Sequence, residues 1–487
     1  MIIIKTSGVR KVLLLFLIGV LGLQVSAQIG EKIFDDTVLH KIEFFNVDIS
    51  AIKDPALKSV YQQVDIKIDG NILKMIGLAT KGEKSYLAAP NDKKPFKIKT
   101  DKFIEGQKYD GIKRFNLHNN LYDKGFMREK LTCDASARMG IPAPKCAFAE
   151  VYINGEYWGV YTLVEAQDEI YKRTFGDNNG FTIESFGSPA NLNNLAYYGK
   201  NPEDYSGQYI VDHGDENLAW QQWITLLDKI QNLPPRYGYV DSISKYIDYQ
   251  TYFKFNAVLD YNLNAEPKNR NGIYYYDIDK KKWFTICWDQ NVAFADFIQP
   301  DQNNFPNMQM TAFLDKYATY SQFSEAYDQT LCQLSNSIFT ENEVDSKIEA
   351  YRKIIDDAVE KDIRKGFTFK EYELSIVALR EFIAIRNNET SEFLKKKGCI
   401  CTTTVKQPEL ENTGIRVFPN PAKDFLYVRV PETAVYRYSI SNMQGNMLQK
   451  GLLTNTNIPI SSLPAGVFLL EIYHAGQRVA AEKLIKI

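Results

Sequence analysis

The strongest restriction on what this chain can fold into is a place where its patterning stops. Residues 402–413 are polar, contain Pro408 and follow neither the alternation of a strand nor the 3.6-residue apolar period of a helix. A segment with no apolar face has nothing to bury, so residues 402–414 read as a linker and the chain must build separate cores on either side of it. The expected division is one large unit, residues 28–401, and a small one, residues 415–487. In front of both, residues 1–27 carry Lys5, Arg10 and Lys11, an apolar run over 12–23, and the small residues Val25, Ser26 and Ala27. Crossing a bilayer takes about 20 apolar residues, so this run is short for a span and reads as a cleaved secretory signal that leaves Gln28 first.

In the large unit the apolar period changes along the chain. Ile42 and Phe44 alternate, as do Val64, Ile66 and Ile68 before the Asp69-Gly70-Asn71 turn, which predicts a hairpin continuing to residue 79. A second hairpin is predicted over 148–163 around Asn154-Gly155, a pair that accepts the positive φ angles of a two-residue turn. Between the hairpins, Met127, Leu131, Ala135 and Met139 recur every four residues and predict a helix over 126–139 that stops at Gly140. Further helices are predicted over 216–233, 241–263 and 311–397, with a hairpin joining Tyr274-Tyr275-Tyr276 to residues 283–287. Strand-rich and helical halves with complementary apolar faces make an α+β unit. Beyond the linker, short strands are predicted at 425–430, 436–441, 447–450, 457–460, 467–473 and 482–487, divided by glycine-bearing turns, as in a small β-sandwich.

Charge and residue supply narrow the function classes. Lys and Arg number 58 against 60 Asp and Glu, so no net field favours nucleic acid as the partner. With 4 histidines and no His-Glu-x-x-His run, zinc hydrolysis is disfavoured, and neither a glycosidase carboxylate pair nor a Ser-His-Asp arrangement stands out. Cys133, Cys146, Cys287 and Cys332 sit in apolar contexts and read as small buried hydrophobes, whereas Cys399 and Cys401 are expected to send one or both sulfurs into disulfides elsewhere.

Four blocks then occur in a telling order. They are Lys81-Gly82-Glu83-Lys84-Ser85 with Lys93-Lys94-Pro95-Phe96-Lys97-Ile98-Lys99; Phe115-Asn116-Leu117-His118-Asn119-Asn120 with Arg128-Glu129-Lys130-Leu131 and Ile141-Pro142-Ala143-Pro144; Val151-Tyr152-Ile153-Asn154-Gly155-Glu156-Tyr157-Trp158-Gly159-Val160-Tyr161; and residues 271–276 with Trp288-Asp289. Across residues 38–395 this order resembles the CotH kinase family, the spore-coat-protein-H-like atypical protein kinases. The resemblance implies an atypical kinase-like fold that uses ATP and Mg2+ to phosphorylate Ser or Thr of a secreted or surface protein. It makes Asp289 the metal-binding Asp after a strand and Asn271 an amide ligand. Lys97 becomes the phosphate lysine, with Lys94 competing, and Glu129 the helix carboxylate that holds it.

The chain departs from the family where proton transfer is concerned. Asn264 stands where the family places an Asp, and an amide orients a hydroxyl without accepting its proton as a carboxylate does. Asp260 is the replacement carboxylate if its helix ends early. Trp288-Asp289-Gln290-Asn291 replaces Trp-Asp-x-Asp, and Asn271-Gly272 replaces a pair of Asn. These departures leave a second possibility, an inactive pseudokinase serving as a surface binding or structural protein. In the small unit, Val417-Phe418-Pro419-Asn420-Pro421-Ala422, Ile440-Ser441-Asn442-Met443-Gln444-Gly445, Leu463-Pro464-Ala465-Gly466-Val467 and Lys483-Leu484-Ile485-Lys486-Ile487 resemble a type A sorting domain of the type IX secretion system. That resemblance implies the type IX machinery as a partner, and a secreted or cell-surface location with attachment at the outer membrane possible.

Overall fold

The alternation in the first half of the chain resolves into seven strands that close on themselves. A computed structural model describes residues 29–186, 193–234, 238–294, 311–399, 401, 416–430, 436–442, 447–453, 457–474 and 477–487, so the expected export signal and linker lie outside the described residues. The strands are β1 (Leu39–Phe45), β2 (Gln62–Ile68), β3 (Asn71–Thr80), β4 (Phe96–Lys99), β5 (Arg114–His118), β6 (Cys146–Ile153) and β7 (Glu156–Glu165). They form a barrel in the order β1-β2-β3-β4-β5-β7-β6, closed by parallel pairing of β1 with β6 from Leu39 opposite Phe148 to Phe44 opposite Ile153. Ile42, Phe44, Ile66, Phe96, Ile98 and Val151 fill it, each burial contributing about 1.5–3 kcal/mol. The β6–β7 turn is the two-residue one its sequence demands: Asn154 and Gly155 have φ of 51° and 87°, and Ile153 pairs with Glu156. The helix Arg128–Arg138 lies between β5 and β6 in the chain, and Gly140, at φ 75°, follows its end.

The second half of this unit carries the sheet β8 (Phe181–Ser185), β9 (Tyr209–His213), β10 (Ile273–Asp277) and β11 (Lys282–Ile286), ordered β11-β10-β8-β9. Around it stand the helices Glu216–Asn232, Tyr249–Tyr261, Ser321–Gln333, Glu341–Lys361 and Phe369–Lys396, sharing one apolar core that includes Trp223, Phe253, Phe323 and Phe382. The helix expected over 241–263 is broken into Tyr239–Ile243 and Tyr249–Tyr261. The break serves the sheet. Trp283 of β11 donates its N–H to the Tyr246 carbonyl and accepts from Asp248 N–H, both at 2.8 Å, and the Asp248 carboxylate then caps the second helix through Thr251 N–H at 2.9 Å. The long helical stretch 311–397 is likewise divided, with Thr340 and Thr368 as N-caps and Glu371 completing a capping box. Cys332, expected as a buried hydrophobe, is bonded to Cys401, because the two Cα atoms lie 5.4 Å apart, within disulfide reach. Cys133, Cys146 and Cys287 are free and buried.

The chain separates into two compact units, one reaching to Cys401 and the other within 402–487. The second holds a three-stranded sheet (Arg416–Phe418, Phe425–Arg429, Asn457–Pro459) and a four-stranded one (Met447–Leu453, Tyr436–Asn442, Gly466–His474, Gln477–Lys486). Leu426, Val428 and Ile458 of the first share an apolar cluster with Ile440, Leu470 and Ile472 of the second. Asn420 explains part of its own motif: its amide nitrogen donates to the Lys483 carbonyl at 2.6 Å and its oxygen accepts from Ile485 N–H at 2.9 Å, pinning the Pro-Asn-Pro segment to the last strand. No helix among the described residues is long and apolar enough to cross a membrane.

Candidate functional site

Where β3 ends, Lys81 leaves the barrel wall and enters a cavity of about 430 Å3 that is also lined from the helical half of the same unit, by Glu184, Glu266, Asn271, Trp288 and Asp289. Gly82 next to it has a left-handed φ of 75°, which favours glycine, and a Cβ there would lie 2.2 Å from Ser85 Oγ and turn that hydroxyl away. The half-buried Lys81 ammonium sits 3.0 Å from His118 Nε2, and His118 Nδ1 sits 2.8 Å from Glu129 Oε2. An ammonium only donates, so Nε2 accepts and Nδ1–H donates to the carboxylate, which selects one tautomer. Glu129 itself is buried, and its Oε1 has no hydrogen-bond partner among the described residues. Burial lowers the Lys81 pKa, while Asp289, Glu129 and Glu184 oppose that shift. The Lys81 ammonium also lies 5.3 Å from the centroid of the Trp288 ring.

Asp289 follows β11 by three residues and has a left-handed φ of 54°. Its Oδ2 accepts from the Asn271 amide at 2.7 Å and its Oδ1 from the Asn291 amide at 2.6 Å. Burial, and after it the charges of Glu266 and Glu129, push its carboxyl up to about 6. Glu184, on β8, is pushed up to about 7 by burial and by Asp212 and Asp289, against the pull of Lys81. Glu266 opens the short helix Glu266–Asn269, where Pro267 suits the first turn and Asn264 Oδ1 accepts the Glu266 N–H at 3.1 Å. Its Oε1 takes both Nε and Nη2 of Arg270, at 2.9 and 2.7 Å. Gly272 stands where a second amide was sought because a Cβ there would lie 2.6 Å from both Asn193 Nδ2 and the Pro267 carbonyl oxygen.

The residues singled out in the sequence fall into two groups. Asp289 and Asn271 line the cavity, and Glu129 stands behind it through His118. Lys97 does not line it. Strand alternation sends Phe96 and Ile98 into the barrel and leaves Lys97 on the other face, its ammonium 5.3 Å from the Tyr61 ring centroid, with its pKa lowered by burial and then by Arg114. Lys94 donates to the Tyr86 carbonyl at 2.9 Å instead. Asp260 is fully buried between Lys268 Nζ and Tyr327 OH, each 2.6 Å away, and Asn264, also fully buried, donates to Gln290 Oε1 at 3.0 Å. Neither Asp260 nor Asn264 lines the cavity. From sequence, Lys81 and His118 are quoted only within family blocks, with no role for either, and Glu184 and Glu266 are passed over. A lone acid among Phe181, Ile183 and Ser185, and the Asn-x-Glu-Pro pattern of a helix start, were the available signals.

The donor set suits a hard divalent cation. Asp289 supplies carboxylate oxygens, Asn271 and Asn291 carry amides beside it, and the burial and neighbouring negative charges that raise the pKa values of Glu184 and Asp289 are what a cation would offset. No group of three or more His, Cys, Asp and Glu able to hold a metal occurs among the described residues, so much of such an ion's coordination would come from phosphate oxygens and water. Comparison with known proteins gives four findings. The model of the CotH kinase protein family matches residues 78–389, and that of a secretion system C-terminal sorting domain matches residues 416–487. The inner spore coat protein H of Bacillus subtilis (strain 168) is 22% identical over 299 residues, which span 60% of this chain and 80% of that protein. The crystal structure of the Helicobacter pylori proinflammatory kinase CtkA covers 59% of this chain and 91% of its own, at 11% identity and a TM-score of 0.26.

Proposed function

The chain belongs to the CotH kinase family and carries a secretion sorting domain, and from that premise we propose that it is an exported kinase that binds ATP with Mg2+ in the cavity and phosphorylates Ser or Thr of secreted or surface proteins. The observation that carries this reading is the convergence of Lys81 and Asp289 on one cavity from the two halves of the large unit. Lys81 is the cation for the phosphate oxygens, held in direction by His118 and Glu129. Asp289, Asn271 and Asn291 are the residues to hold the metal, which supplies neutralisation of the charge that builds on the transferring phosphoryl group. In its protonated form Glu184, whose carboxyl burial pushes up, donates to a phosphate oxygen where a full charge would repel it.

A second reading, a nucleotide-holding pseudokinase, is favoured by the neutral Asn264 and by the engagement of Asp260 with Lys268 and Tyr327. On either reading the two small C-terminal sheets, which we take to pack as a sandwich, are the address read by the type IX machinery, and the large unit works at the cell surface or in the medium. Calorimetric titration of the mature chain with ATP, with and without Mg2+, tests the site. Binding that needs Mg2+ and disappears in Asp289→Ala supports it, and binding untouched by that substitution moves the site elsewhere.

A further inference from the structure

We infer that Glu266 is the catalytic carboxylate that takes the proton from the acceptor hydroxyl, an assignment that rests on the phosphoryl-transfer reading above. The two carboxyl or amide groups that sequence offers for this task are both spent elsewhere. Asp260 is closed in by Lys268 Nζ and Tyr327 OH at 2.6 Å each, with no exposure to solvent. Asn264 is equally inaccessible, and its oxygen is turned onto the Glu266 N–H. Its work is therefore positional: it anchors the helix start that delivers Glu266 to the cavity wall.

Glu266 meets the geometric needs of a base. Its Oε1 is fixed by Arg270 Nε and Nη2, which sets the plane of the carboxylate, while Oε2 has no hydrogen-bond partner among the described residues. The side chain lines the same cavity as Lys81 and Asp289. The charges that act on Lys81 include Asp289, Glu129 and Glu184, whereas Glu266 acts on Asp289. With Glu184 and Asp289 assigned to the phosphate and the metal, Glu266 is the carboxylate of this wall with an oxygen left for an acceptor hydroxyl. In the step, the acceptor oxygen bonds to the γ-phosphorus as the bond from that phosphorus to the β,γ-bridging oxygen breaks. The bond's electron pair leaves on ADP, and the hydroxyl proton passes to Glu266 Oε2.

The test separates binding from transfer in the full mature chain, using calorimetry for ATP·Mg2+ and labelling of dephosphorylated casein from γ-labelled ATP. Glu266→Gln keeps the size and the Arg270 contact while losing the base, so ATP affinity is expected to stay and the labelling rate to fall on the order of 100-fold or more. Glu266→Asp is expected to recover part of the rate. Wild-type labelling by the Gln variant, ATP affinity lost together with labelling, or a wild type that binds ATP yet labels nothing would each overturn the assignment. A wild type that binds no ATP overturns the kinase reading beneath it.

Discussion

Asp289→Asn is expected to make the empty protein more stable at alkaline pH while removing Mg2+-dependent nucleotide binding. Folding lifts this carboxyl from 3.8 to about 6. At about 1.4 kcal/mol per unit, the folded chain bears at most about 3 kcal/mol of unfavourable charge there once the group ionises. The side chain is half-buried and faces solvent in the cavity, so screening brings the expected gain nearer to about 1–2 kcal/mol. One hydrogen bond must turn round: the new amide nitrogen requires an acceptor, so Asn271 or Asn291 has to rotate its own amide. The backbone sets no obstacle, since φ is 54° and Asn adopts the left-handed region as readily as Asp. Because the folded pKa lies above the unfolded one, the native chain holds a proton between about pH 4 and 6 that the unfolded chain has released, and wild-type stability falls as pH rises through that window. The variant's advantage is therefore complete above about pH 6 and absent below about pH 4. Urea unfolding of both chains in chelator, followed by tryptophan fluorescence at about pH 8 and about pH 4, measures it. A variant no more stable at the higher pH, or a margin equal at both, refutes the charge burden assigned to this site.

Lys81→Met is expected to weaken ATP·Mg2+ binding by about 10-fold or more, the loss of a charged hydrogen bond, whereas Lys97→Met leaves it unchanged; equal effects in calorimetry would return the phosphate role to Lys97. Lys268→Met leaves the Asp260 carboxylate buried without its cation and is expected to cost about 3–5 kcal/mol in urea unfolding, and a cost under about 1 kcal/mol would mean that water reaches Asp260. Deleting residues 416–487 is expected to hold a folded large unit in the periplasm, and immunoblots that find the truncated chain in the medium would show that the sorting domain is dispensable.

Much of the framework was legible because local chemistry decided it. Asn154-Gly155 admits a two-residue turn of positive φ, and the seven-strand barrel grows from hairpins of that kind. What alternation does not reveal is which side of a strand faces a site. Alternation along β4 sets Lys97 opposite Phe96 and Ile98, yet the cavity opens at the end of β3, so Lys81 reaches it and Lys97 does not. The helix expected through 241–263 was interrupted for a tertiary reason, the edge contacts of Trp283 with Tyr246 and Asp248, which no helical period records. Asp289 was readable from its motif, but Glu184 and Glu266 come from a strand and a helix start distant in sequence, and only packing shows that they share a cavity with it.

The bond between Cys332 and Cys401 has a mechanical meaning. Cys401 is the point from which the chain continues into residues 402–414, so any tension on the sorting domain, from the secretion machinery or from a surface tether, enters the large unit there. The covalent link delivers that load to the helix Ser321–Gln333, whose Phe323, Tyr327 and Leu331 are rooted in the core. The long helix Phe369–Lys396 is thereby relieved of force at its own end, and cannot be peeled away turn by turn while the sulfurs hold. A pull reaches the fold as through a clamp set into its frame, and the kinase-like unit is protected from being drawn open by its own address label.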